Sequence, residues 1–492
     1  MNERHDRTVI LLKEHISNPE NFFSTPITIT ADNELLASKN GQIMMETLVN
    51  ITSRLSDKIV LQLPDSTLFS RLKTLILGIG CQLEESKEEI PGIVVSIGNT
   101  QLKGKFNICV NSSGWVSYLA CGSDVKTLEN CLQNPIGAMG AACLASAEVF
   151  KRLLELNGCD RKWAKIHPKE MNFSFLDYTF TESNIDFPLN VDIGKILLVG
   201  AGAVGSGFVY SISKFENVLG DIKVIDPDDI DKSNLNRCLT YFDNDIGKSK
   251  AKVIERYSTS KTTIKGENIK LNQLKKERKE FPIIISTVDN NDARHEIQFD
   301  LPKIIFHGAT GNSASAVSVI KLLENACLCC IFESSKSYEE IVSDEMRIPL
   351  NKVKDAINKK LLFSEEHFEY MKNKLGANAS KFEKFIGRSF EDVYKKEVCG
   401  AINLKTKDGE KNASIPFVSF FSGLVLAAEI VKYSSKELHQ FPMISTPDFL
   451  QINLFSPSSY NIAERVKNPN CVLGCSKSHV QKVYSEKWGV VN

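Results

Sequence analysis

KILLVGAGAVGSGFVYSISKFENVLGDIKVID, residues 195–226, runs from an apolar strand through a glycine turn into a helix, then along a second apolar strand that ends on an acid. Gly200, Gly202 and Gly205 set the spacing G-x-G-x-x-G between strand and helix. The first two glycines allow a tight turn and close approach of a phosphate, and the third lets helix and strand pack closely. Backbone N–H groups and the dipole at the start of the helix favour an anion there. Asp226 closes the second strand, where a carboxylate accepts hydrogen bonds from ribose hydroxyls. The turn alone does not choose between NAD, FAD and ATP.

The next stretch separates those ligands. VIDPDDIDKSNLNR, residues 224–237, adds two amides and a guanidinium, and KSKAK adds Lys248, Lys250 and Lys252. A nicotinamide dinucleotide needs no such concentration near its first ribose, whereas phosphoryl or nucleotidyl transfer is catalysed chiefly by positioning and by cations that neutralise the leaving phosphates. Asp289, in STVDNNDAR, lies just past the apolar strand FPIIIST, beside the crevice. A carboxylate there suits a magnesium ligand or a helix N-cap.

Strand, turn, helix and strand continue through FPIIIST (281–287) and KIIFHG (303–308), and this alternation predicts a mostly parallel sheet covered on both faces. The first half, up to residue 185, reads as a separate α/β domain with strands at 58–63, 92–97 and 106–110 and helices at 41–56 and 136–156. Residues 331–412 break the rhythm with lysine-rich and acidic helical sequence such as LNKVKDAINKKLLFSEEHFEYMKNKL, read as an inserted helical region whose polar residues form a solvated face. No internal repeat is evident. Residues 476–492 are read as a C-terminal tail.

Composition narrows the function. Lys and Arg total 60 and Asp and Glu total 60, so no electrostatic case for nucleic acid arises. The longest apolar stretch, IPFVSFFSGLVLAAEIV at 415–431, carries Ser419, Ser422 and Glu429 and reads as a buried helix rather than a membrane span. MNERHDRTVILLKEHISN lacks the pattern of a secretion signal, so the cytoplasm is the expected compartment.

In a reducing compartment the 13 cysteines are packing residues, metal ligands or nucleophiles. Cys327 and Cys330 form C-x-x-C in ENACLCCIF, and Cys471 and Cys475 form C-x-x-x-C in NPNCVLGC, two hooks able to enclose a tetrahedral structural zinc, with Cys329 as a rival ligand. Cys399, in VYKKEVCGAI, follows lysines that favour a thiolate.

GAGAVGS, VIDPDDIDKSNLNR and DIGKSKA, in this order and spacing, resemble the adenylation domain of the ThiF, MoeB and ubiquitin-activating enzymes. The resemblance implies a Rossmann-like ThiF-type adenylation domain over 186–475, with a helical catalytic-cysteine insertion and, ahead of it, a degenerate α/β pseudo-adenylation domain. It implies ATP and Mg2+ as ligands, Asp226 on the ribose, Asn234, Arg237 and Lys250 on the phosphates, Asp289 on magnesium, and a structural zinc. The family's usual glutamine after the arginine is Cys238 here. On the same likeness Cys399 carries a thioester, the substrate is a ubiquitin-like protein, and the product goes to a conjugating enzyme, as in bacterial ubiquitin-like antiviral operons. An arginine from the opposite half often reaches the ATP site in this family, with Arg4, Arg7, Arg54 and Arg71 as candidates, and a homodimer is open. A sulfur-carrier adenylyltransferase without thioester transfer is the alternative. A dehydrogenase would leave Asn234, Arg237, Lys250 and the cysteine hooks without a role, and an inactive scaffold would leave the whole set unused.

Overall fold

In the computed structural model, the residues described are 3–490 except 64–65, 85–91, 101, 103, 127–133, 275–276, 312–313, 333–342, 344–345, 360, 391–404, 407–408, 411–414, 436–437, 439, 441–443, 445–447 and 458–459. The chain divides into two compact units, Met1–Phe332 with Ala413–Asn492, and Glu333–Asn412.

The larger unit contains two sheets. The first holds β1 (Ile27–Ala31), β2 (Lys58–Gln62), β3 (Gln82–Glu84), β4 (Ile93–Ile97), β5 (Phe106–Ser113), β6 (Val116–Cys121) and β7 (Glu170–Ser174) in the order β3-β2-β1-β4-β5-β6-β7. The second holds β8 (Val191–Val199), β9 (Val218–Ile225), β10 (Thr262–Glu267), β11 (Ile283–Ser286), β12 (Ile304–Thr310) and β13 (Ala314–Ile320). A short pair, β14 (Lys405–Thr406) and β15 (Gly409–Glu410), belongs to the smaller unit, and β16 (Phe449–Asn453) and β17 (Tyr460–Ala463) complete the second sheet as β10-β9-β8-β11-β12-β13-β16-β17.

The two sheets are built alike. In each, the third, second, first, fourth and fifth strands run parallel, and the strands after them are antiparallel. In each, a helix follows the first strand (Lys39–Thr52 or Ala203–Ile212) and a long buried helix precedes a later antiparallel strand (Ile136–Leu156 or Pro416–Ser434). The duplication also survives in sequence, as SAEVFK at 146–151 against AAEIVK at 427–432, contrary to the expectation of no repeat. Pro416–Ser434 is long and apolar enough to cross a membrane, yet 89% of its apolar window is buried inside the protein, as expected of a core helix.

Strand order reverses between β1 and β4 and between β8 and β11, and a ligand crevice forms at such points, outside the C-terminal strand ends. In the first sheet that place is closed. Asp32 N–H bonds the Ile97 carbonyl at 2.8 Å, and Leu35 lies so close to Gly98 that a Cβ there would sit 2.5 Å from its Cδ1. The stretch equivalent to the glycine turn is therefore DNELLASKNG at 32–41; ILGIGC at 76–81, the nearest sequence likeness, lies at the end of the helix Ser66–Gly78.

The halves interlock through buried polar bonds. Thr47 and Tyr210 hydroxyls meet at 3.1 Å, Lys214 Nζ reaches Glu46 at 2.5 Å, and Asn50 donates to the Leu239 carbonyl at 3.1 Å. The smaller unit has its own aromatic core, including Phe363, Phe368, Phe382, Phe385 and Phe390. The expected tail holds the helix Ser478–Trp488, docked where Trp488 Nε1 donates to the Leu301 carbonyl at 2.7 Å and the Tyr484 hydroxyl to that of Lys303 at 2.6 Å.

Candidate active site

The second sheet keeps its crevice open because of what its glycines permit. Gly200 sits at φ 99°, a left-handed conformation that disfavours any side chain. A Cβ on Gly205 would lie 2.1 Å from the Gly200 carbonyl oxygen, whereas one on Gly202 would meet nothing within 4 Å. The outer two are thus needed by the turn itself, and the middle one faces the space a phosphate would fill. Gly205→Val is expected to deform the turn and lower the thermal midpoint together with ATP affinity. Gly202→Val is expected to abolish ATP binding with the midpoint unchanged, as calorimetry and thermal melts would show.

Asp226 is buried at the end of β9. Its Oδ2 accepts from the Ala201 N–H at 2.6 Å and its Oδ1 from the Asp228 N–H at 2.9 Å, so the acid is locked onto the glycine turn with lone pairs to spare. Burial raises its pKa, and the Lys250 charge opposes this. Tyr241 ties the same parts from below, its hydroxyl 2.6 Å from the Ala201 carbonyl and 3.3 Å from that of Lys250.

The SNLNR segment is a short turn rather than a free loop. Asp231 and Asn234 form a reciprocal cap, with Asn234 Oδ1 accepting from the Asp231 N–H at 2.9 Å. Arg237 is buried and donates to the Ser233 carbonyl at 2.6 Å and to Asn236 Oδ1 at 2.8 Å. Lys250 Nζ pairs with Asp228 Oδ2 at 2.8 Å. Cys238 is packed with Ile230, Leu235 and Tyr241. Arg54, from the first half, is wholly buried and donates to the carbonyls of Leu235, Leu239 and Tyr241, so this candidate arginine braces the segment from behind. Arg4 is likewise engaged, with Asp57 and the Ile79 carbonyl.

Across the crevice, the Thr287 hydroxyl donates to the Gly200 carbonyl at 2.7 Å and joins the end of β11 to the turn. Two residues on, Asp289 is exposed, and Asn290 rather than Asp289 caps the following helix, its Oδ1 accepting from the Ala293 N–H at 2.8 Å. The N-cap role proposed for the acid is therefore filled by its neighbour. Arg294 is buried behind the loop, donating to the Val288 carbonyl at 3.0 Å and to Asn291 at 2.6 Å; burial lowers its pKa and the Asp289 charge opposes this. His307 is fully buried next to it and is held down at about 3 by burial and by Arg294, so it is neutral.

With this geometry in place, the similarity to known proteins is decisive. The ThiF family matches residues 189–473, and the BilD N-terminal domain matches residues 26–164. The chain belongs to the ThiF family. Uncharacterized protein y4jF of Sinorhizobium fredii (strain NBRC 101917 / NGR234) is 24% identical over 490 residues, covering 94% of this chain and 91% of that protein. The NEDD8-activating enzyme E1 catalytic subunit of Dictyostelium discoideum is 33% identical over 147 residues, 28% of this chain and 32% of its own length. The probable molybdopterin-synthase adenylyltransferase of Porphyra purpurea is 34% identical over 123 residues, 23% of this chain and 32% of its own length. The chain thus spans about a third of each of these last two relatives.

The ThiF-family half also brings the cysteine hooks together. The sulfurs of Cys327, Cys330, Cys471 and Cys475 all lie within 4.8 Å of one another, with separations of 3.6 Å for Cys327–Cys330 and 3.4 Å for Cys327–Cys471 and Cys330–Cys475. Zinc–sulfur bonds of about 2.3 Å in a tetrahedron place sulfurs about 3.8 Å apart, so the four fit that ion. Cys329 is buried in the same cluster but stands outside the group of four. Hydrogen bonding to Cys327 and then burial push the Cys330 thiol up to about 12, a balance that a bound cation would reverse. The protein is expected to carry about one zinc per chain by metal analysis, and a chelator should lower its thermal midpoint.

Cys399 lies outside the described residues. Among the described ones, Asp228, Tyr241 and Thr287 are site residues that sequence reading did not single out. Asp228 carried a signal, two positions past Asp226 in DPDD; the others are revealed only by packing.

Proposed function

We propose that this chain activates a ubiquitin-like protein: it adenylates the C-terminal carboxylate with ATP and passes the acyl group to Cys399 as a thioester for a conjugating enzyme. The observation that carries this reading is the asymmetry of two like sheets. In the first half Leu35 fills the crevice against Gly98, while in the second the glycine turn leaves room at Gly202 and holds Asp226 with Lys250 beside it, and Asp289 follows the end of β11. Membership of the ThiF family and the likeness to a NEDD8-activating subunit support the substrate class.

Asp226 would hold the ribose and the glycine turn the phosphates. Lys250 would leave Asp228 for the triphosphate, and Arg237 and Asn234 would meet it from their capped turn. Asp289 would hold a magnesium ion, which when bound supplies neutralising charge to the phosphate oxygens. A carboxylate is a poor acylating agent. Its attack on the α-phosphorus releases pyrophosphate, and thiolate attack on the acyl-adenylate then releases AMP. Arg54 braces the site instead of reaching it. The biological setting in this reading is bacterial antiviral defence, and the match to the BilD N-terminal domain supports it. Because the two halves already pair within one chain, a homodimer is not needed to complete the site.

The likeness to a molybdopterin-synthase adenylyltransferase favours a second reading, activation for sulfur transfer, which shares the first step. The test is ATP–pyrophosphate exchange with proteins ending in an exposed glycine, followed by non-reducing gels. Exchange plus a thiol-sensitive adduct lost in Cys399→Ala supports the first reading. Exchange without the adduct supports the second, and tight NADH binding without ATP binding overturns both.

A further inference from the structure

Phe332 is the last residue of the larger unit, and the loop that carries Asp289 is anchored around it. Its ring lies under the Arg294 guanidinium, whose Cζ is 4.1 Å from the ring centre, and meets the His307 ring edge-on at 4.9 Å. Its carbonyl is 2.5 Å from His295 Nε2. Each of these partners grips a different part of the Asp289 loop. His307 Nδ1 lies 3.0 Å from the Ser286 carbonyl at the end of β11, Arg294 holds Val288 and Asn291, and His295 stands on the helix that follows.

Neither Arg294 Nε nor His307 Nε2 has a hydrogen-bond partner among the described residues, although both atoms are buried. Their orientation therefore depends on the aromatic ring between them to a degree that a fully bonded pair would not. A guanidinium out of water is attracted strongly by an aromatic face, and an aliphatic side chain of similar size offers none of that attraction.

We propose that Phe332 is a positioning residue for the metal-binding loop, holding Arg294 and through it the Val288 carbonyl so that Asp289 presents its carboxylate to magnesium. The inference rests on the reading of Asp289 as a magnesium ligand. On this reading, displacing the Phe332 ring loosens the metal site.

The test compares the full-length protein with Phe332→Leu and Phe332→Tyr by calorimetry of ATP with and without Mg2+, together with thermal melts. The wild type and Phe332→Tyr should bind ATP more tightly when Mg2+ is present. In Phe332→Leu that gain should shrink by about tenfold, the size of a lost desolvated cation–π contact, while magnesium-free ATP affinity holds and the thermal midpoint falls only slightly. A full magnesium gain in Phe332→Leu overturns the proposal, and so does an equal loss of affinity with and without Mg2+, which would mark packing alone. A wild type that gains nothing from Mg2+ removes the assignment of Asp289 first, and the proposal with it.

Discussion

Lys250→Ala is expected to slow ATP–pyrophosphate exchange by about 10²- to 10³-fold with only a small fall in the thermal midpoint. The two halves of that statement have separate causes. Lys250 is paired with Asp228, whose side chain is 64% exposed against 11% for the lysine, so removing the ammonium leaves an acid that water solvates and costs the fold little. The ammonium itself sits beside buried Asp226 at the glycine turn, where the local dielectric is low and a cation acts strongly on phosphate charge. Arg237→Ala should lose activity to a similar degree but also disturb the turn, because its guanidinium holds the Ser233 carbonyl and Asn236. Exchange at the wild-type rate in Lys250→Ala would remove the lysine from the chemistry.

The geometry of the crevice was readable because it is local. A glycine turn between strand and helix, an acid at the next strand end and a capped amide segment are each written within a few residues, and the structure assembles them as their spacing implies. The cysteine hooks were readable for the same reason, yet only folding chose among five thiols, since Cys329 is buried in the same cluster and still stands outside the four sulfurs that gather. What escaped depends on long-range packing. Leu35 closes one crevice from a position that looks like any helix residue, and Arg54 meets the SNLNR segment across more than 180 positions of chain. The duplication was overlooked because it is preserved in strand order and in buried contacts, with only a six-residue echo, SAEVFK and AAEIVK, in the sequence.

That echo marks the prediction with the largest effect on stability. Lys432→Met is expected to cost about 3–5 kcal/mol in denaturant unfolding, because it strips the partner from a carboxylate that has no access to water. Lys432 and Glu429 are both 0% exposed and 2.6 Å apart. The ammonium also donates to the Leu176 carbonyl at 3.1 Å and lies 4.0 Å from the Tyr178 ring centre; burial lowers its pKa and Glu429 opposes this. Glu429 accepts from the Tyr178 hydroxyl at 2.5 Å and from the Ile444 N–H at 2.9 Å, so one pair of charges joins the two halves. Adding Glu429→Gln to Lys432→Met should recover part of the loss, since an amide still meets both neighbours without a buried charge. The equivalent pair in the first half, Lys151 and Glu148 at 2.5 Å, has its own neighbours: the ammonium donates to the Ile166 carbonyl at 2.8 Å and His167 Nδ1 lies 2.7 Å from the carboxylate. Lys151→Met should therefore also destabilise the fold, since it strips the ammonium from a carboxylate that is only 2% exposed. Unchanged unfolding free energy in Lys432→Met or in Lys151→Met would mean that the ammonium does not offset the burial of its carboxylate partner in that half.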